Sequence, residues 1–387
     1  MSSFIPAFKY CEKIFDGTHE TPKSTFKGYP LITSKNILGG KLNLNDVYNI
    51  SEFDYKNIQK RSAVKQWDIL FSMIGSVGEI FLEKNSNIPY AIKNVGVFSC
   101  DNEDKARWLY YYFKSPIAKK LIQNQKNGAV QKFISLGTLR NFPIIPYRHE
   151  YKGLIQILSA LDAKIELNNQ INSELEKMAK TLYDYWFVQF DFPNENGKPY
   201  KSSGGKMVWN QELKREIPEG WEVRKIGEYA DVKKGDLITE KDAKGGEIKV
   251  VAAGIGFSYT HSEHNRDENT ITISGSGANA GFINFWRESI FASDCITIRG
   301  KTDADTILIL HHLKLIQSHI LNQATGSAQP HVYPSDIKIL NYAISSDILI
   351  NEFGKLVIPM NKKIANNLKE NQKLIQLRDW LLPMLMN

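Results

Sequence analysis

Three cysteines occur in 387 residues, at positions 11, 100 and 295. An odd, scattered set without a C-x-x-C pair excludes a disulfide framework and offers no zinc ligands, and it fits a reducing compartment. No run of 18 apolar residues exists, so no spanning helix is expected. Met1–Tyr10 lacks an apolar stretch of signal-peptide length, and the expectation is a cytoplasmic protein with no membrane contact. The phosphate-cradling pattern Gly-x4-Gly-Lys-Ser/Thr is also missing, since Gly300-Lys-Thr302 has Cys295 where the first glycine would stand.

Acidic charge is in mild deficit: 49 Lys+Arg against 42 Asp+Glu give a net +7. This permits a polyanionic partner without requiring one. Residues 1–149 hold 21 basic and 12 acidic residues, a net +9, whereas 219–345 hold 13 and 16, a net −3. A second half that binds nucleic acid must therefore do so through a locally basic face.

What the chain has is the same object twice. Lys164-Ile165 lines up with Lys363-Ile364, and the ladder Leu161, Asn168, Leu175, Leu182 repeats as Met360, Asn367, Leu374, Leu381. The flanking ladder Leu158, Ile165, Asn172 repeats as Val357, Ile364, Asn371. Polar Asn on the same rungs twice is harder to reach by chance than a second run of leucines, so a duplicated globule-plus-helix is inferred. Asn at a buried heptad position costs stability but fixes register. The simplest closure is an antiparallel pair of the two helices. The alternative is two surface helices, each packed on its own globule.

The repeat extends into the globules. Gly17 aligns with Gly235, with Ile5, Phe8, Cys11 and Ile14 echoing Val223, Ile226, Tyr229 and Val232. Gly75-Ser76 aligns with Gly275-Ser276, and Gly128-Ala-Val-Gln131 with Gly326-Ser-Ala-Gln329, which makes the 17–75 segment 18 residues longer than its counterpart. Strand-like runs start at Gly28, Asp68 and Val95, and again at Ile248, Thr270 and Cys295. A helix opens at Asp104 and runs to about Asn124, and its counterpart opens at Asp303 or Asp305 and runs to about Asn322. The first long helix, Tyr151 to Phe187, would span roughly 55 Å at 1.5 Å per residue. Asp191 to Gly220, rich in Asn, Gly, Pro, Ser and Lys, reads as a connector outside either core. The expected fold class is α+β: two tandem globules separated by two long helices in an antiparallel coiled-coil spacer, with pseudo-two-fold repetition. The expected boundaries are 1–149 and 219–346 for the globules, 150–190 and 347–387 for the helices, and 191–218 for the connector.

The segment Leu182-Tyr-Asp-Tyr-Trp-Phe-Val-Gln-Phe-Asp-Phe-Pro, continuing to Trp209 and then Glu216-Ile-Pro-Glu-Gly-Trp-Glu-Val, resembles the central region of specificity subunits of type I restriction-modification enzymes. Asp16-Gly-Thr-His-Glu-Thr-Pro-Lys and Ile69-Leu-Phe-Ser-Met-Ile-Gly-Ser-Val-Gly carry the same resemblance, which covers essentially the whole chain. It implies that each globule is a target-recognition domain reading one half of a split double-stranded DNA site. The helices would act as ruler and docking surface. It also implies no catalysis and no cofactor in this chain: S-adenosylmethionine, ATP and Mg are expected in partners, namely two modification (adenine-N6 methyltransferase) subunits and the restriction subunits. Pro218-Glu-Gly-Trp221 has no counterpart ahead of the first globule, which predicts an outermost strand there that is short or differently paired.

Selectivity is expected from loops within 17–95, 128–140, 233–281 and 326–338, through base-edge and phosphate contacts. Candidate DNA contacts are Thr18, His19, Lys23, Lys35, Asn36, Ser76, Lys93, Gln131, Lys132 and Arg140 in the first copy, and Lys233, Lys234, Ser276, Asn279, Gln329, His331 and Lys338 in the second. The two Gln residues either bond adenine or tie their own turn. Gly275-Ser-Gly-Ala-Asn-Ala-Gly281 fits a dinucleotide fingerprint on paper, but Phe282-Ile-Asn-Phe-Trp reads as a strand where that motif needs a helix, so a tight hairpin is expected. His261-x-x-His264 has metal-like spacing without further ligands nearby. His311-His312, within a helix, would ordinarily divide between a buried and an exposed face. The aromatics Trp108 to Phe113 read as core rather than as a base-stacking platform. Asn141-Phe-Pro143 lacks the second proline of the adenine-methyltransferase motif Asn-Pro-Pro-Tyr/Phe. Two rivals remain: a methyltransferase or nuclease fused to a recognition domain, and a protein-binding scaffold.

Overall fold

The structure, a computed structural model, describes residues 4–45, 47–126, 132–324 and 330–386. The chain forms two compact units, Met1–Glu166 with Asn371–Asn387, and Leu167–Glu370. The division runs through both long helices, whose ends are built into the globules. Ile155 and Leu158 are buried in the core of the first unit, and Tyr183, Trp186, Phe187, Ile350, Phe353 and Val357 in that of the second.

Each unit has the same frame. In the first, an antiparallel sheet runs in the order Lys13–Asp16, Val95–Ser99, Ile69–Ser72, Ile80–Leu82; in the second, Ala230–Lys234, Cys295–Gly300, Thr270–Ser274, Ile283–Trp286. The strands Val95–Ser99 and Ile69–Ser72 are buried throughout, which explains their nearly unbroken apolar sequence, and Thr270–Ser274 is buried throughout with the hydroxyls of Thr270, Thr272 and Ser274 hydrogen-bonded. A smaller sheet stands beside each: Asn49–Ile50, Tyr29–Ile32, Ala91–Ile92 in one unit, and Phe257–His261, Ile248–Val251, Phe291–Ala292 in the other, the last pair parallel in both. The helix expected over 104–124 is two helices, Glu103–Lys114 and Pro116–Asn124, because Ser115 turns out of helical geometry, caps the second through Ala118 N and precedes a proline. The second unit likewise has Asp303–Leu315 and Gln317–Ala324. Trp108 and Tyr112 are fully buried with their polar atoms bonded to Ile145 O and Pro143 O, so this cluster is core.

Hydrogen-bond register corrects the alignment of the copies. Ile74 bridges Phe133 as Ser276 bridges His331, and Gly75 N bonds Lys132 O as Gly277 N bonds Pro330 O. Gly75 therefore corresponds to Gly277, not Gly275, and both take left-handed φ, +75° and +73°. From Gly17 to Gly75 is 58 residues and from Gly235 to Gly277 is 42, so the first copy is longer by 16 here, not 18. The short helices Ala7–Tyr10 and Ile226–Tyr229 also correspond, pairing Tyr10, not Cys11, with Tyr229. Within the longer segment the first unit inserts the hairpin Ile37–Leu38/Lys41–Leu42 and the helix Glu52–Ser62. The outermost strand of the first globule is indeed short: Ile5–Pro6 pairs two residues, against four for Glu222–Lys225.

The long helices are Lys152–Tyr183, ending in a π turn over Asp184–Val188, and Asp347–Leu381. They pair antiparallel within each unit. In the first, Arg378 Nη1 donates to Asp162 Oδ1 at 3.0 Å. In the second, Asn168 Nδ2 donates to Glu370 Oε2 and Asn367 Nδ2 to Asn172 Oδ1, both at 2.8 Å. Asn168, Asn172, Asn367, Asn371 and Ile364 are buried, and Leu161, Ile165, Leu175, Leu182, Met360, Leu374 and Leu381 are half-buried. The ladder thus marks a helix–helix seam, and two independent surface helices are ruled out. The connector reading needs a correction as well: Phe190, Phe192 and Ile217 belong to the core of the second unit, with Phe192 stacked on Tyr200 and Trp221. Its Gly and Pro residues hid two apolar anchors, Phe192 and Ile217, with Phe190 just ahead of it.

Candidate nucleic-acid interface

In the first unit the candidate loops meet where strand Lys13–Asp16 ends and Val95–Ser99 begins. Gly17 N bonds Val95 O, and a Cβ on Gly17 would lie 2.3 Å from Ile92 O, so the turn closes only without a side chain. Thr18 then bridges Lys93, with Thr18 N bonded to Ile92 O and Asn94 N to Thr18 O. His19 stands exposed with Nδ1 2.8 Å from Asn94 Oδ1 and Nε2 3.1 Å from Asp16 Oδ2. Asp16 also receives Arg61 Nη2 at 3.3 Å. Lys93 Nζ donates to Thr21 Oγ1. Asn94 O accepts from Ser34 Oγ, which reaches Ile74 N, so the turn bearing Gly75, Ser76 and Lys132 belongs to the same cluster. Ser76, Lys132, Lys35 and Lys23 are exposed. Such a rim of hydroxyl, imidazole, amide and ammonium groups has the donors and acceptors that phosphates and base edges require.

Asn36 does not belong to this rim. It is buried, its Oδ1 accepts from Thr33 N and Thr33 Oγ1, and its amide reaches Asn43 O, so it holds the loop together. Arg140 lies on helix Leu136–Arg140 against Ile14 O, and Lys338 takes the matching place on Pro334–Lys338, its stem against Gly227. Gln131 and Gln329, with their Gly-x-x-Gln turns, lie outside the described residues.

The second unit builds the same rim from different side chains. Gly235 N bonds Cys295 O and Asp236 N bonds Ala292 O, so Asp236 takes the place of Thr18, Leu237 that of His19 and Asp294 that of Asn94. Ser276 Oγ donates to Asp294 Oδ2 at 2.8 Å, and His331 beside it stacks on exposed Tyr333. Lys233 pairs with Asp231 at 2.6 Å, while Lys234 lies exposed with its carbonyl accepting from Arg266. Asn279 closes the one-turn helix Gly277–Asn279, the tight link between Thr270–Ser274 and Ile283–Trp286. Sequence reasoning missed Leu237, 81% exposed, which offers an apolar contact of the kind a thymine methyl takes. It also missed Asn94 and its counterpart Asp294, which the adjoining candidate Lys93 could have signalled.

His261 is buried and its Nδ1 accepts from Lys244 N, whereas His264 is exposed beside Asp267. Among the described residues no group of three or more His, Cys, Asp or Glu could hold a metal ion, and no helix is long and apolar enough to cross a membrane. His311 and His312 are both enclosed, stacked on Tyr183 and set against Tyr342, and burial lowers each to a pKa of about 4.

One frame used twice with different side chains at its rim is the layout of a recognition protein with two reading surfaces. The sequence matches the type I restriction modification DNA specificity domain twice, over residues 18–177 and 218–378, and the chain belongs to that family. It is a specificity subunit with two recognition domains, a kind of subunit that recognises DNA and does not itself catalyse. It is 25% identical over 403 residues to the type I restriction enzyme MjaIX specificity subunit of Methanocaldococcus jannaschii, covering 94% of this chain and 88% of that one. It is 22% identical over 446 residues to the HindI specificity subunit of Haemophilus influenzae, covering 94% and 95%. Among solved structures, the type I restriction-modification S subunit from M. genitalium superposes with a TM-score of 0.61 at 18% identity over 99% of this chain and 95% of that one, which shows a shared fold.

Proposed function

We propose that the two rims read the two halves of a bipartite double-stranded DNA site and that two modification subunits dock on the long helices, with restriction subunits joining them in the cytoplasm. Methyl transfer with S-adenosylmethionine and ATP- and Mg-dependent translocation and cleavage would reside in those partners. The observation that carries this reading is the conserved frame with divergent rims: Thr18, His19, Lys93 and Asn94 correspond to Asp236, Leu237, Ser293 and Asp294. Identical backbone positioning with different donors and acceptors suits two different half-sites. In this reading Thr18, His19, Lys23, Lys35, Ser76, Lys93 and Lys132 serve one half-site, and Lys233, Lys234, Ser276, Asn279 and His331 the other. Arg140 and Lys338, at matching positions in the frame, contact phosphates. The helices set the gap between halves.

The test is co-expression with the modification subunit followed by genome-wide mapping of N6-methyladenine. A bipartite motif with a fixed gap supports the reading. Absence of any motif, or methylation by the isolated chain, refutes it.

A further inference from the structure

The repeat makes each unit a control for the other, and one place where they differ is chemically one-sided. In the first unit, helix Glu103–Lys114 meets the long helices through a closed ionic cluster. Lys114 Nζ lies 3.4 Å from Asp162 Oδ2, Arg378 Nη1 lies 3.0 Å from Asp162 Oδ1, and Tyr111 Oη bonds the same carboxylate at 3.1 Å. The corresponding residues of the second unit are Lys314, Asn361, Ala179 and His311. The cation is retained, but the carboxylate has become an amide and the arginine a methyl group.

A cavity of about 450 Å³ opens at that place in the second unit, with Leu310, Val357, Met360, Ile364 and Phe285 among its walls. Arg287 reaches its edge, already held by Asn361 Oδ1 at 2.6 Å and Glu176 Oε1 at 3.0 Å. Lys180 is paired with Asp184 and Lys177 with Glu174. Lys314 lies exposed at the rim and its Nζ makes no hydrogen bond or ion pair among the described residues; desolvation pulls its pKa below the usual lysine value, partly opposed by the charge of Glu176. A largely apolar cleft whose rim ammonium is bonded to no carboxylate, Glu176 being held by Arg287, is completed by one carboxylate on an apolar body.

We propose that this cavity is the anchor site for a single acidic side chain, flanked by apolar residues, of a modification subunit, and that the first unit has no such site because Asp162 fills the place. The occupant is a polypeptide because the walls are continuous with the long-helix faces, through Glu176, Ala179, Val357 and Ile364, and because a helix-borne aspartate is what fills the equivalent position. This rests on the reading that modification subunits dock on those helices.

The test titrates the full chain with its modification subunit and counts bound copies by native mass spectrometry and calorimetry. Lys314→Glu is expected to weaken one of the two binding steps about tenfold or more and to leave the other unchanged, and Lys314→Met to weaken the same step less. A Lys314→Glu protein that melts like the parent and binds both copies with parental affinity overturns the anchor. So does stabilisation of the isolated parent chain, but not of Lys314→Glu, by free 4-phenylbutyrate when subunit binding is unaffected, since the site would then belong to small carboxylates. A parent chain that binds no modification subunit takes down the functional reading itself, which keeps the two failures distinguishable.

Discussion

The amide pair in the helix seam of the second unit gives a quantitative test. Asn367, 1% exposed, donates to Asn172 Oδ1 at 2.8 Å, and Asn172 is 8% exposed. Replacing Asn367 alone with Leu leaves the Asn172 carbonyl buried against a methyl group, a penalty of about 1–3 kcal/mol, and the added hydrophobic contact offsets it only in part. Replacing both removes the unsatisfied group with its partner, so Asn172→Leu/Asn367→Leu should be close to the parent or more stable. The ladder alone would have paired Asn168 with Asn367 for this experiment. The structure redirects it, because Asn168 meets Glu370. The measurement is chemical denaturation of the four proteins of the cycle, with a coupling of about 1–3 kcal/mol expected in favour of the double variant. As a melting temperature, each kcal/mol corresponds to about 2–4 °C for a unit of this size. A coupling below about 0.3 kcal/mol, within ordinary additivity, would refute a buried amide–amide bond.

Gly17→Ala and Gly235→Ala should each destabilise by about 1–3 kcal/mol and blunt DNA recognition, because the new Cβ would sit 2.3 Å from Ile92 O and 2.1 Å from Ser293 O; parental melting curves would contradict this. The histidines set a pH dependence: His311 and His312 stay neutral in the fold down to about pH 4, whereas unfolded rings take up protons below about 6.5. More protons bind to the unfolded chain in that window, so stability should fall as pH drops from 6.5 towards 4, and His312→Phe should flatten the profile of melting temperature against pH. Lys93→Ala should lower DNA affinity and reduce the salt slope by about one, whereas His331→Ala should alter preference in the other half-site only; a change in both halves from either variant would count against two separate readers.

How much of this was legible depended on whether the signal was local. The strands at Ile69 and Val95 announced themselves because a strand buried on both faces is apolar at nearly every position, and those at Thr270 and Cys295 by their alternation of β-branched Thr and Ile. Helix Glu52–Ser62 did not: its sequence is largely polar, Phe53 is exposed and Ile58 is the apolar residue it buries. It is held by contacts that no periodicity reports, Tyr55 stacked on Tyr29 at 3.9 Å and Gln59 bonded to Tyr90 O. Its one local sign was the Ser51-x-x-Asp54 cap. The rim followed the same division. Thr18, His19 and Lys93 could be named from their loop setting, but Asn36 looked like a contact until its amide proved to be spent inside the loop.

The sequence by itself determined the duplication, the two α+β frames and the polar rungs of the helix ladder, because repetition and heptad spacing are one-dimensional properties. Only the tertiary structure decided which residues of the two copies correspond, since a glycine can match either of two neighbours until hydrogen bonds set the register. It also decided that the helix ends belong to the globules, because burial depends on what lies opposite. The exchange of Asp162 for Asn361 reads in sequence as one charge less. In the fold it removes the group that Lys114 enjoys and Lys314 lacks, because an ion pair is a relation in space between residues distant along the chain.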